Sequence, residues 1–211
     1  EGRWGAYVEM SSVLNHDDMV ICFVVPEGCD DMQVGVGFSQ DKEALQAGKS
    51  AAEQAVKCSE EPTITFMFTT GNYNQREVLT GVRNVVGSSK LVGACTYGII
   101  TRSGVFKSGV GVCCLSGPEV QAATYLHDYF PAQGCPHNDK IDIRCLLRQN
   151  GIEAGAAFVF PNGFGDNISA LLRQLHDLLG PGFSYMGGGT GDNLGICKTH
   201  QITEQGVSTD G

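Results

Sequence analysis

Two kinds of periodicity take turns along the chain. In residues 33–39 (QVGVGFS) apolar side chains fall at every second position, the period of a half-buried strand. After Asp41, which suits an N-cap, Ala44, Ala51 and Ala55 recur with Leu45, Ala52 and Val56 at helical spacing. That predicts a helix whose mostly alanine face lies close on a sheet. Residues 63–70 (TITFMFTT) are nearly continuous apolar, as in a strand covered on both faces. Asn74 and Glu77 resemble a capping box, and Val78, Leu79, Val82, Val85 and Val86 follow as one helical stripe. The strand at residues 91–95 completes a βαβ unit, whose crossover is right-handed and parallel.

The pattern then changes. Residues 99–107 read as a hairpin turning at Arg102-Ser103-Gly104. Residues 110–115 and 120–126 predict consecutive antiparallel strands, and 140–149 a weak helix stopped by Asn150-Gly151. The earlier order returns with an apolar strand at 154–160 and a turn at Pro161-Asn162-Gly163. A helix capped by Asp166 follows, with Ile168, Leu171, Leu172, Leu175, Leu178 and Leu179 on one face, and then a strand from Phe183. Residues 19–25 form a further β-type run with no counterpart later in the chain and no assigned role.

The two halves repeat one unit. LVGACTYG (91–98) and YMGGGTGD (185–192) both end an apolar run in glycine and threonine, and a hairpin pattern follows each. The expectation is an α/β fold of internally duplicated βαβ units, with mixed parallel and antiparallel sheet and a pseudo-twofold. The halves would be about 32–126 and 154–211 of a domain spanning 32–211, with 1–31 unassigned. In the first half VFKSG runs into an apolar strand, whereas VSTDG ends the chain. The repeat therefore predicts a truncated second half continuing past Gly211 in an apolar strand. The start at Glu1 likewise reads as an excised piece.

Composition narrows the function. The formal charge is −9 with 14 Lys and Arg in no cluster, which argues against a nucleic-acid partner. No apolar run approaches the roughly 18 residues of a membrane helix, so no membrane partner is expected. The nine cysteines include no C-x-x-C pair, and they read as small buried hydrophobes of a cytoplasmic protein. No metal site and no cofactor is expected.

Open sheets bind ligands outside the carboxyl ends of parallel strands. A dyad between the halves would gather there Thr70, Asn72, Cys95, Thr96 and Tyr97 from the first half, and Asn162, Asp166, Thr190, Asp192 and Asn193 from the second. These hydroxyls, amides and carboxylates suit a small polar ligand and offer little acid–base power. Asp192 either caps a turn or receives a ligand's amino group. Gly187–Gly191 lacks the lysine of a phosphate loop. Two alternatives remain open: Cys95 as a nucleophile in a thiol enzyme, which requires a nearby base, and His127 or His200 as an axial haem ligand.

The order of motifs resembles the FIST domain family. Gly35, Gly37, Ser39 and Asp41 match its G-x-G-x-S and acidic position; Gly93, Thr96 and Gly98 match its G-x-x-T-x-G strand end; Gly187, Gly188, Gly191 and Asp192 match its G-G-x-x-G-D. Where the family carries Glu after the first T-x-G, this chain carries Ile99. The resemblance spans residues 33–211. It implies a cytoplasmic sensory or signal-input domain that binds a small ligand such as an amino acid or organic acid. It further implies a signalling output domain or kinase as partner and, in some members, haem and nitric oxide sensing.

Overall fold

The computed structural model describes residues 19–26, 32–127, 143–164, 168–192 and 198–209. In chain order they form β1 (Met19–Pro26), β2 (Gln33–Ser39), α1 (Ala44–Ala55), β3 (Ile64–Thr70), α2 (Gln75–Val86) and β4 (Lys90–Thr96). Then come β5 (Ile99–Thr101), β6 (Gly104–Phe106), β7 (Val110–Ser116), β8 (Val120–His127) and α3 (Ile143–Gln149). The rest are β9 (Gly155–Pro161), α4 (Ile168–Leu179), β10 (Phe183–Gly187), β11 (His200–Thr203) and β12 (Gly206–Thr209).

A six-stranded sheet has the order β12-β11-β4-β3-β7-β2, and a four-stranded sheet has the order β10-β9-β1-β8. The hairpin β5–β6 stands apart. The two larger sheets face each other. Phe66 of β3 meets Phe158 of β9 edge-on with ring centroids 4.8 Å apart, and Phe68 meets Phe160 at 5.4 Å. Ile64, Val92 and Ala94 pack there against Val120 and Ala122 of the opposing sheet. Helices α1 and α2 cover the outer face of the larger sheet through Ala51, Ala55, Val78, Val82, Met67 and Val112. Helices α3 and α4 cover the smaller one through Leu147, Leu171, Leu175, Ala157 and Val159. The layers therefore run helix, sheet, sheet, helix, and residues 64–70 are buried on both faces as their continuous hydrophobicity predicts.

Both βαβ units form. β3 and β4 are parallel from Ile64↔Lys90 to Thr70↔Thr96, and β9 and β10 are parallel around Tyr185↔Ala157. Asn74 caps α2, accepting the Arg76 and Glu77 amides at 3.2 and 3.4 Å. Helices α1 and α2 touch through glycine. A Cβ on Gly48 would overlap the Val78 carbonyl, and one on Gly81 the Leu45 carbonyl, so only glycine permits this approach.

Three readings of the pattern change. The strands at 110–115 and 120–126 do not pair with each other: β7 is bonded on one edge by β2 and on the other by β3, leaving no edge for β8. β8 instead crosses to the smaller sheet beside β1. Leu45 lies 41% exposed, outside the buried face of α1, where Ala47 and Gly48 take its place. The N-cap of that helix is Glu43, with no side-chain cap bond, while Asp41, two residues earlier, accepts the Glu43 amide at 3.4 Å. The run at 19–25, which the pattern left without a role, supplies the strand between β8 and β9.

The hairpin β11–β12 of the second half does not stay with β9 and β10. It adds to β4, with Gln201 opposite Ala94 and Ile202 opposite Gly93. Glu204, in the turn between these strands, ties the seam between sheets. Its carboxylate accepts the Thr124 hydroxyl of β8 at 2.7 Å and the Leu91 amide of β4 at 3.3 Å, and Lys90 lies 3.3 Å away. Burial alone pushes this carboxyl up, but the Thr124 hydroxyl, backbone amides and Lys90 outweigh it and hold it below its ordinary value.

Candidate functional site

The two glycine–threonine strand ends meet. Beyond β10 the chain continues extended through Gly188 and Gly189 and bridges Asn162 with Thr190 in parallel. The Thr190 amide donates to the Pro161 carbonyl at 2.8 Å, and the Gly191 amide donates to the Cys95 carbonyl at the end of β4 at 3.0 Å. The second motif thus leaves its own sheet and bonds to the first motif in the other one. The approach needs glycine at position 163, where a Cβ would overlap the Thr190 carbonyl. The start of β11 completes the place: the His200 amide donates to Cys95 Sγ at 3.0 Å.

Cys95, Thr96, Tyr97, Asn162, Thr190 and Asp192 are therefore brought together. Thr96 donates its hydroxyl to the Gly98 carbonyl at 3.2 Å, and Tyr97 is 50% exposed. Asn162 is buried and accepts the Phe164 amide at 2.9 Å. Asp192 accepts the Lys198 amide at 3.3 Å, two residues before β11. Thr70 and Asn72 stand one strand away and are already engaged. The Thr70 hydroxyl is buried, donates to Asn72 Oδ1 and accepts the Gly109 amide at 3.0 Å, while the Asn72 amide donates to Ser108 at 2.9 Å. They lock the end of β3 to the start of β7. Asp166 and Asn193 lie outside the described residues.

The electrostatics limit the chemistry. Burial, with a smaller contribution from the nearby Asp192 charge, pushes the Cys95 thiol up to about 11 against the His200 amide, which lowers it. The thiol is fully buried and stays protonated at neutral pH, so it lacks the thiolate that nucleophilic catalysis requires. Burial and then Lys198 hold the His200 imidazole below its ordinary value against the pull of Asp192, so the ring is neutral at pH 7. His127 ends β8 opposite Met19. Among the described residues no group of three or more His, Cys, Asp or Glu side chains could hold a metal.

Gln201 belongs to the same place and was not singled out by the repeat. It is fully buried on the inter-sheet face of β11, the face of its partner Ala94. Its amide nitrogen donates to Thr190 Oγ1 at 3.1 Å and to Thr199 Oγ1 at 3.3 Å. Among the described residues its carbonyl oxygen has no partner, and neither has His200 Nδ1, also buried. The sequence held one signal for it, a glutamine inside a strand that otherwise buries Ile202 and Thr203.

Threonines, amides and one carboxylate thus gather at the joined strand ends of a four-layer α/β fold. The model of the FIST N domain matches residues 63–211, most of the chain, and the protein belongs to that family. FIST is a family of sensory domains. No curated protein matches the chain.

Proposed function

We propose that this protein is a cytoplasmic signal-input domain that binds a small polar ligand, an amino acid or small organic acid, where the strand ends of its two halves join. The observation that carries this reading is the 3.0 Å bond from the Gly191 amide to the Cys95 carbonyl, because it couples the two sheets at a place where polar strand-end groups converge. A ligand held there by Thr96, Tyr97, Thr190 and Asp192 would contact both sheets. It could shift their packing by as much as its affinity differs between two arrangements. The output partner is a signalling domain or kinase. The free cysteines, among them Cys58 and Cys145 at the surface, support a reducing compartment. No helix among the described residues is long and apolar enough to cross a membrane.

A thermal-shift screen against a broad metabolite set tests the reading. A true ligand raises the melting temperature by mass action, by roughly 2.7 kcal/mol of stability at a hundredfold excess over Kd. Asp192→Asn is expected to weaken the effect while leaving the unliganded melt nearly unchanged. A screen in which nothing moves the melt removes the reading.

A further inference from the structure

The unpaired carbonyl of Gln201 says what kind of group the site accepts, if the binding reading above holds. A buried polar atom left without a hydrogen-bond partner is costly, because it has given up water for nothing. Its orientation is set by its neighbours. Both amide protons are used, one on Thr190 and one on Thr199, and among the described residues only the oxygen is left over. Turned over, the oxygen would accept from the two hydroxyls and both protons would be stranded, so the first arrangement wins. The group that satisfies the oxygen must be a hydrogen-bond donor.

The neighbourhood adds a second acceptor. His200 Nδ1 is a second buried nitrogen without a partner, and on a neutral ring with its proton on Nε2 it accepts. The Asp192 carboxylate is close enough to act on both Cys95 and His200. Lys198, although exposed, acts on the His200 ring more strongly than Asp192 does, so charge alone does not choose the ligand. The unpaired acceptors do: a carboxylate presented to Gln201 would face an oxygen rather than a donor.

We propose that Gln201 is a specificity-determining residue of this site, its carbonyl oxygen selecting ligands that carry a protonated amine over ligands of the same shape that lack one.

The experiment uses matched probe pairs in a thermal-shift assay: glycine and acetate, alanine and propionate, and 4-aminobutyrate and butyrate. They are added beside the broad screen to the wild type, Gln201→Met and Gln201→Glu, each variant checked for native circular dichroism. The amine of at least one pair, or an amine from the screen, is expected to raise the wild-type melt while its deaminated partner does not. In Gln201→Met the amine should bind about tenfold more weakly or worse, the effect of one lost charge-assisted bond. Gln201→Glu, which keeps an acceptor, should retain binding and guards against a Met variant that fails to fold. An amine that binds Gln201→Met as tightly as wild type overturns the proposal, as does a ligand without any amine that distinguishes none of the three proteins. Either result leaves the binding reading standing. If no compound shifts the wild type, the binding reading itself is gone and this inference goes with it.

Discussion

Single residues in this protein matter mostly through the company they keep. Cys95 has the sequence position of a nucleophile, at a strand end beside a threonine, yet its surroundings keep it a neutral thiol that accepts a backbone amide. Glu204 looks like an ordinary turn carboxylate in the sequence, yet it receives a hydroxyl from one sheet and an amide from the other. Its folded-state pKa lies below the unfolded value of about 4.3. Its ionised form therefore stabilises the fold at neutral pH, and that contribution is lost as pH falls through the lowered folded value. Glu204→Gln should reduce stability at pH 7 and make urea midpoints less steep in pH below about 4.5. Equal acid sensitivity in both proteins would mean that the seam bonds contribute nothing.

At the level of elements, hydropathy period was a good guide wherever an element buries one stripe on its own neighbours. Helix α2 and strand β3 fall where their periods put them, because Val78, Val82 and Val86 recur at helical spacing and residues 64–70 hold only apolar side chains and threonines, with no charge. The alanine face of α1 was legible too, but Leu45 was not. A large residue next to that stripe points outward because the helix lies too close to α2 to admit it. The closeness rests on Gly48 and Gly81. Gly48→Ala would gain helix propensity of about 1 kcal/mol but overlap the Val78 carbonyl, and overpacking of this kind costs about 1–3 kcal/mol. A net loss of stability in urea titration is the expected result, and a gain would show that the two helices slide apart freely.

The whole molecule is held by its middle layer, where the two sheets meet through aromatic edges. Phe160 of β9 packs on Phe68 of β3, and it is 7% exposed. Phe160→Ala should cost about 3–5 kcal/mol. Because both sheets share this layer, amide exchange in β3 and β9 should rise together; exchange confined to β9 would mean that the sheets are stable separately. From the sequence alone came the mixed α/β class, both βαβ units, the hairpin signals and the family motifs, since each depends on periodicity or spacing within some thirty residues of chain. Six of the ten residues expected at the strand ends, Cys95, Thr96, Tyr97, Asn162, Thr190 and Asp192, lie together. What the sequence could not decide was which strand bonds to which. Strands β7 and β8 separate into different sheets, β1 enters the smaller sheet, and β11 crosses to β4. Those choices depend on edges already occupied by distant strands, and hydropathy carries no record of an occupied edge. Gln201 became visible only through them, because its burial and its unpaired oxygen are properties of a junction that no single segment contains.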